Sequence, residues 1–246
     1  MLTKNTIKQI ASLRQQKFRK ELDLFVVEGR KMTEELLRSD FETVGLYATE
    51  AFLADYPTFT SVEVVNEVQM QQMSGLDTPP GILAVVKVPQ QGEIKTTSRL
   101  VLALDGIANP GNLGTLIRTA EWFGIHDVIC STDCVELWNP KVVQATMGSL
   151  FRMKIWKTDF PSYLLKAKTE GKTVYGALLE GENLFQIQSQ PEGILVIGSE
   201  SHGIRADVLP CITHPITIPR ANGSLTESLN AAVAGAILMA ELTKVR

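Results

Sequence analysis

The chain has little cysteine and histidine, with three of each in 246 residues, and neither set has the spacing of a metal site. Cys130, Cys134 and Cys211 are odd in number and form no CxxC pair, which argues against both a disulfide framework and a zinc site. The histidines are scattered along the chain, so we predict no bound metal. The cysteines are expected to be small apolar residues of the core.

Long apolar runs are also missing. No run approaches the roughly 18 residues that cross a bilayer, so we expect no membrane partner. The start of the chain, MLTKNTIKQIASLRQQKFRK, has no apolar stretch of the signal-peptide kind, which predicts a cytoplasmic protein. Hydrophobic residues make up 44% and charged residues 21% of the chain, which is ordinary for a globular protein of one large or two small domains.

Acidic residues are absent from the first twenty positions, although the net charge of the whole chain is −3. The basic residues of this stretch are Lys4, Lys8, Arg14, Lys17, Arg19 and Lys20. Such a run is most often a solvated helix face. A nucleic-acid footprint is the alternative, and it needs independent support.

A polar segment, VPQQGEIKTTSR at residues 88–99, interrupts the apolar pattern and predicts a boundary between two regions. We expect a first domain over residues 1–90, a linker over 91–98 and a second domain over 99–246. In the first domain, apolar spacing predicts a helix around Ile7, Ile10 and Ala11, a strand at 24–29, a helix at 30–39 and a last strand at 81–89.

Short apolar runs alternate with helical or irregular stretches after the boundary. The predicted strands are RLVLALD (99–105), HDVIC (126–130), TVYGALL (173–179), GILVIGSE (193–200) and PITIP (215–219). This alternation predicts an α/β domain with a parallel sheet. The runs LVLAL and ILVI are continuous rather than alternating, as expected of strands covered on both faces.

Three polar loops that contain glycine follow predicted strands. They are DGIANPGNLG (105–114), GSESHG (198–203) and PRANGSLTESLN (219–230). Ligands of open α/β sheets bind beyond the carboxyl ends of the strands, so function is expected in these loops. The first loop lacks both GxGxxG and GK[ST], which disfavours a cofactor held by its nucleotide phosphates.

A helix is predicted after the first loop and another after the third. The first begins near Leu113, and its apolar stripe leaves out Arg118, a position at which a single arginine is usually exposed. The second, SLNAAVAGAILMAEL (228–242), is apolar almost all round, so it is buried either within the domain or against a second copy of the chain. Ser228 or Glu227 lies about where the N-cap of this helix is needed.

The three loops, in this order, resemble the three motifs of the SpoU (TrmH-like) family of RNA ribose methyltransferases in the SPOUT superfamily. The matching segments are NPGNLGTLIRTAEWFG, LVIGSESHGI and ITIPRANGSLTESLNAAVAGAIL. VVQATMGSLFRM (142–153) resembles the family's segment between the first two motifs, and the whole resemblance spans about residues 99–246. FVVEGRKMTEELL in the first half resembles the substrate-binding domain, related to ribosomal RNA-binding proteins, that many members carry.

The resemblance implies 2′-O-methylation of a ribose in ribosomal or transfer RNA, with S-adenosylmethionine as the methyl donor. It also implies a homodimer, and a parallel sheet that ends in a deep trefoil knot. The matching catalytic positions are Asn112, Arg118, Glu200, Ser228 and Asn230, and the matching cofactor positions are Gly198, Ile218 and Leu229. With RNA as substrate, the expected contacts in the first domain are Arg14, Lys17, Arg19, Lys20 and Arg30.

The chemistry implied by this family suits these residue types. Methyl transfer from a sulfonium needs no metal, because the leaving group is already good, and it depends on in-line placement and on loss of the ribose hydroxyl proton. A guanidinium has a pKa above about 12 and stays protonated. The resemblance implies that Arg118 is the base that accepts the ribose proton, whereas stabilising the developing alkoxide and gripping the adjacent phosphate are physically easier roles; the sequence does not decide between them.

Arg220 departs from the family pattern, which commonly has methionine there, and the third loop is longer than the family leads us to expect. Arg220 either contacts a phosphate or is simply exposed. Two other functions stay open: a SPOUT enzyme that methylates a base, against which Asn112 and Arg118 argue, and a catalytically silent RNA-binding or assembly protein. The sequence does not specify the RNA or the nucleotide.

Overall fold

A computed structural model describes residues 2–187 and 192–244 of the chain. In chain order its helices and strands are α1 (Lys4–Ser12), α2 (Gln16–Leu22), β1 (Leu24–Glu28), α3 (Arg30–Leu37), β2 (Thr43–Thr49), α4 (Glu50–Asp55), β3 (Glu63–Val65), α5 (Glu67–Met73), β4 (Ile82–Lys87), β5 (Leu100–Leu104), α6 (Pro110–Trp122), β6 (Asp127–Ser131), α7 (Pro140–Thr146), β7 (Lys154–Thr158), α8 (Phe160–Thr169), β8 (Val174–Asn183), β9 (Gly193–Ile197), β10 (His214–Thr217) and α9 (Ala231–Thr243).

The chain forms two compact units. The first comprises Met1–Gln91 and Glu136–Arg152, and the second comprises Gly92–Val135 and Met153–Arg246. Residues 136–152 therefore pack with the first unit although they follow β6 of the second. The domain limits expected from the sequence, at residues 90 and 99, stay predictions.

The first unit contains a four-stranded sheet in the order β1-β4-β2-β3. Strand β4 pairs antiparallel with β1 and with β2, while β2 and β3 are parallel. The predicted strands β1 and β4 and the predicted helices α1 and α3 are confirmed. Helix α2 and strand β3 were not predicted, because QKFRKEL has no apolar period and β3 is only 3 residues long.

Arg19 of α2 fixes residues 136–152 to the N-terminal helices within the first unit. Its side chain is 2% exposed, and its Nε donates to both carboxylate oxygens of Glu136 at 3.1 Å. Its Nη1 donates to the carbonyl oxygens of Leu13 at 2.7 Å and Arg14 at 2.9 Å. A buried cation is tolerated when it is paired and hydrogen-bonded in this way. The predicted contact of Arg19 with RNA is therefore wrong, because the guanidinium lies inside the unit.

The second unit contains a six-stranded sheet in the order β10-β8-β9-β5-β6-β7. Every neighbouring pair is parallel, so the predicted α/β class with a parallel sheet is confirmed. Strand β7 was not predicted, because KIWKT alternates with charged residues and has no continuous apolar run. Strand β8 runs on to Asn183, since it pairs with β10 in two stretches separated by a register shift. The trefoil knot stays a prediction.

Strands β5 and β9 end at the same edge of this sheet. Leu104 and Ile197 are register partners, and the backbone N–H of Asp105 extends the ladder by donating to the carbonyl oxygen of Ile197 at 2.9 Å. From β5 the chain continues to β6 on one side, whereas β8 and β10 lie on the far side of β9. The strand order thus reverses between β9 and β5, which is where open α/β sheets bind their ligands.

Helix α9 packs against α6 and β9 through Gly235. A Cβ atom at Gly235 would overlap the side chain of Leu116 and lie 2.9 Å from Cδ1 of Ile197, so a glycine is required for this close approach. One face of α9 is therefore buried within its own unit, and packing against a second copy stays a prediction. In the described part of the chain, no helix is long and apolar enough to cross a membrane.

Candidate functional site

Three side chains from the three loops form one hydrogen-bonded cluster in the second unit. The amide Nδ2 of Asn112 donates to Oε1 of Glu200, and the amide Nδ2 of Asn230 donates to Oδ1 of Asn112 at 3.2 Å. These residues lie 88 and 118 positions apart along the chain. The structure thus brings together one predicted residue from each motif, and we call this set the polar cluster.

The first loop places Asn112 in the first turn of α6. The helix begins at Pro110, three residues before the predicted start near Leu113. The side chain of Asn109 is the N-cap and accepts from the backbone N–H of Asn112 at 3.1 Å. Asn109 was missed as a positioning residue, although an asparagine followed by proline is typical of a helix start.

The second loop doubles back on itself and presents Glu200 at its tip. The backbone N–H of Ser199 donates to the carbonyl oxygen of Gly203 at 3.0 Å, and the N–H of Gly203 donates to that of Ser199 at 2.9 Å. A Cβ atom at Gly198 would overlap the backbone of Gly203 and Ile204, so a side chain there would open the turn. Gly198 therefore sets the path that leaves Glu200 exposed beside Asn112.

The third loop delivers Asn230, which is the N-cap of α9. Its Oδ1 accepts from the backbone N–H groups of Ala232 at 3.0 Å and Val233 at 3.3 Å, while its Nδ2 donates to Asn112. The expectation that Glu227 or Ser228 caps this helix is wrong, because α9 begins later, at Ala231, and its N-cap is Asn230. Helix capping holds the Asn230 amide in the orientation that reaches the cluster.

The remaining third-loop residues lie close to the surface. Ser228 is exposed, Leu229 is 44% exposed, and Ile218 is half-buried just after β10. Arg220 is exposed, and its Nη1 donates to the carbonyl oxygen of Thr226 at 3.1 Å. Arg220 thus braces the longer loop from within, an arrangement that the sequence did not indicate.

Arg118 is exposed on α6 and does not join the polar cluster. It follows Asn112 by six residues, which corresponds to about 9 Å along the helix axis. Within residues 2–187 and 192–244, its guanidinium makes no hydrogen bond or ion pair. The predicted exposed position is confirmed, and Arg118 is available to a ligand.

The other basic candidates of the first unit differ from one another. The Nη2 of Arg14 donates to the carbonyl oxygen of Gln72 at 2.9 Å and to that of Ser74, while the guanidinium of Arg30 lies 4.7 Å from the ring centre of Tyr56. Lys17 and Lys20 are exposed. The two lysines therefore keep their charges at the surface, whereas part of the bonding capacity of Arg14 is used within the fold.

The donor set near the polar cluster fits S-adenosylmethionine better than a cofactor held by its phosphates. Glu200 supplies a carboxylate, which suits a cationic sulfonium, and Asn112 and Asn230 supply neutral amides. Ile218, which is half-buried, and Leu229, which is exposed, add aliphatic surface on the loop that ends at Asn230. The cluster itself contains no cationic side chain of the kind that grips a phosphate.

Known proteins match this chain over nearly its whole length. Residues 99–240 match the SpoU rRNA methylase family, and residues 4–84 match the MRM3-like substrate binding domain. The chain belongs to the SpoU rRNA methylase family. Among its relatives is the 23S rRNA (guanosine(2553)-2′-O)-methyltransferase RlmP of Bacillus subtilis (strain 168), which is 31% identical over 239 residues, covering 96% of this chain and 95% of RlmP.

Two solved structures of related proteins share the fold. A TrmH-family protein from Porphyromonas gingivalis is 38% identical, with a TM-score of 0.88 and 98% of each chain covered. An AdoMet-bound rRNA methyltransferase from Sinorhizobium meliloti is 25% identical, with a TM-score of 0.83 over 98% of this chain and 95% of that one. The resemblance to the SpoU family and the α/β architecture are both confirmed.

Proposed function

We propose that this chain is an S-adenosylmethionine-dependent RNA methyltransferase that acts on a ribose 2′-hydroxyl of ribosomal or transfer RNA. The observation that carries the proposal is the polar cluster of Asn112, Glu200 and Asn230, which forms at the strand-order reversal of a SpoU-family sheet. RlmP, a relative over almost the full length, is named for 2′-O-methylation of a 23S rRNA guanosine.

In this function the polar cluster positions the reacting groups. S-adenosylmethionine supplies an electrophilic methyl group on a good leaving group, so the protein's task is alignment and proton removal. Backbone groups at Gly198, Ile218 and Leu229 would hold the cofactor, and the Asn112 and Asn230 amides would orient the ribose. Glu200 keeps the Asn112 amide in place by accepting its Nδ2–H. Ser228 adds a further hydroxyl on the third loop.

Arg118 has the properties of the group that meets the substrate. Its guanidinium is exposed and has no partner in the described residues, so it is ready to bind an RNA phosphate and to stabilise a developing alkoxide. Because it makes no hydrogen bond to the cluster of its own protomer, we place it against the cluster of a second protomer in a homodimer. Exposed apolar side chains near α9 support such an interface: Leu225 is 95% exposed and Val233 is 49% exposed.

The first unit supplies RNA contacts in this proposal. Its match to a substrate-binding domain and the exposed charges of Lys17, Lys20 and Arg30 support that role. Arg14 is a further contact through the part of its guanidinium that the fold leaves exposed. We place the protein in the cytoplasm, where ribosomal and transfer RNA are both present.

The decisive experiment locates the transferred methyl group. The purified protein is incubated with methyl-labelled S-adenosylmethionine and, separately, with ribosomal RNA and transfer RNA from cells that lack it. A labelled nucleotide whose 3′ phosphodiester resists alkaline hydrolysis is the expected product, because a 2′-O-methyl group blocks cleavage at that position. Label on a base would support the base-methyltransferase alternative, and RNA binding without cofactor binding would support the silent RNA-binding protein.

A matched pair of variants tests whether methyl transfer depends on the polar cluster. Asn230→Ala and Asn66→Ala each remove an N-cap asparagine, since Asn66 caps α5 in the first unit. Each change should cost about 1 kcal/mol of stability. Only Asn230→Ala should also lose methyl transfer. Equal activity of the two variants would contradict the assigned role of the cluster.

A further inference from the structure

Asp105 is a fully buried carboxylate that follows β5 directly, at the start of the loop that carries Asn112. Its exposure is 0%, and its backbone N–H donates to the carbonyl oxygen of Ile197, the last residue of β9. Its Oδ2 accepts from the backbone N–H of Arg205 at 2.9 Å, and its Oδ1 accepts from Nε of Arg205 at 2.7 Å. Asp105 thus holds both ends of the 198–204 loop.

The Arg205 guanidinium also bonds to the loop that follows β6. Its Nη1 donates to Oδ2 of Asp133, which follows β6, at 2.6 Å. Burial lowers the pKa of Arg205, but the neighbouring carboxylates of Asp105 and Asp133 raise it above its ordinary value. The guanidinium therefore stays charged, as is usual for arginine in proteins.

Asp105 is also the first residue of the segment that connects β5 to α6, the helix that carries Asn112. Asp105 is the first residue after β5, and α6 starts at Pro110 after a short connection capped by Asn109. Asp105 therefore supports both partners of the Asn112–Glu200 hydrogen bond. It starts the connection that leads to Asn112, and it bonds to both ends of the loop that carries Glu200. Glu200 itself is exposed, so its position depends on how firmly the base of its loop is held.

We propose that the Asp105–Arg205 ion pair is a positioning device that sets Glu200 against Asn112, and that Arg205 acts on methyl transfer only through Glu200. This inference rests on the proposed function for its catalytic readout. Arg205 is not assigned any contact with RNA or cofactor. A displacement of a positioned group by about 1 Å can reduce a rate by up to about 100-fold, so loss of the ion pair should be measurable.

The second unit offers a matched control for this pair. Arg99 and Glu192 form an ion pair at 2.8 Å between the starts of β5 and β9, whereas Asp105 and Arg205 join the same two strands at their ends. Arg99→Ala removes a guanidinium next to the same strands but at the opposite edge from the polar cluster. It should change kcat/KM by less than about twofold, because an exposed pair contributes little to stability and this pair lies away from the polar cluster.

The test is a double-mutant cycle on kcat/KM for methyl transfer, with Arg205→Ala, Glu200→Ala and the double variant. Arg205→Ala leaves the backbone hydrogen bond to Asp105 in place, and it should lower kcat/KM about 10-fold to 100-fold. In the Glu200→Ala background the same change should cost less than about twofold, because the acceptor for the Asn112 amide, which Arg205 is proposed to position, is already removed. If the two losses multiply, or if Arg205→Ala has no effect, the inference is overturned.

Hydrogen–deuterium exchange provides a readout that does not need activity. Backbone amides of residues 199–204 should exchange faster in Arg205→Ala than in the parent or in Arg99→Ala. If the parent methylates no RNA, the proposed function fails while this comparison still decides the positioning role. If Arg205→Ala does not fold, Arg205→Gln replaces it in both measurements, since glutamine keeps part of the side-chain volume but has no positive charge to pair with Asp105. Unchanged exchange in the folded variant would overturn the inference.

Discussion

The two units of this protein differ in the burial and the bonding of one arginine each. In the first unit Arg19 is 2% exposed, and its guanidinium is bonded to Glu136 and to two carbonyl oxygens. In the second unit Arg118 is exposed, and in the described part of the chain it has no partner. From the sequence both residues are expected to contact RNA. The difference shows that a guanidinium bonded inside a fold stabilises that fold, whereas one without a partner is available to a ligand.

The largest effect is expected at Arg118. Arg118→Ala should lower kcat/KM for methyl transfer at least about 1000-fold, because it removes the donor that meets the developing alkoxide and phosphate. The melting temperature and the affinity for S-adenosylmethionine should stay close to those of the parent, since Arg118 supports no contact in the fold. Methylation kinetics, thermal unfolding and calorimetry check the three quantities. Near-normal turnover would refute the assignment.

Arg19 should show the reverse pattern. Arg19→Ala leaves Glu136 and two carbonyl oxygens without their donor, and we expect a loss of about 3 kcal/mol in the free energy of unfolding. Chemical denaturation measures it, and Lys17→Ala is the control because Lys17 is exposed on the same helix. Equal stability of the two variants would mean that the Glu136 pair contributes nothing net.

Asn230→Asp separates positioning from folding at a single residue. Aspartate is as good an N-cap as asparagine, so α9 should keep its stability within about 0.5 kcal/mol. The carboxylate cannot donate to Asn112, and it adds a negative charge near Glu200. We expect methyl transfer to fall about 10-fold to 100-fold, measured as kcat/KM. A variant that loses stability and activity together would indicate that Asn230 acts only as the N-cap of α9.

The smallest effect is expected at Lys20. Lys20→Ala should weaken RNA binding about twofold to fivefold at low salt, and the difference should shrink as salt rises, because a phosphate contact of this kind depends on counterion release. Filter binding over a salt series measures it, with stability unchanged. An affinity that is equal to that of the parent at every salt concentration would remove Lys20 from the RNA surface.

Much of the second unit could be predicted, because its strands and loops are marked by short, local sequence patterns. Continuous apolar runs marked β5 and β9, and polar residues with glycine marked the loops after them. Strand β7 was missed because its buried tryptophan stands between lysines, and α2 was missed because its buried residue is an arginine rather than an apolar side chain. In both elements the partners that make burial possible lie elsewhere in the chain.

The sequence by itself determined the family, the parallel α/β class and the three motif loops, since these depend on the order and composition of short segments. Only the tertiary structure decided that Arg19 is buried against Glu136, 117 residues away, and that the Asn230 amide both caps α9 and reaches Asn112. The physical reason is that the role of a polar side chain depends on which donors and acceptors surround it, and distant parts of the chain supply them.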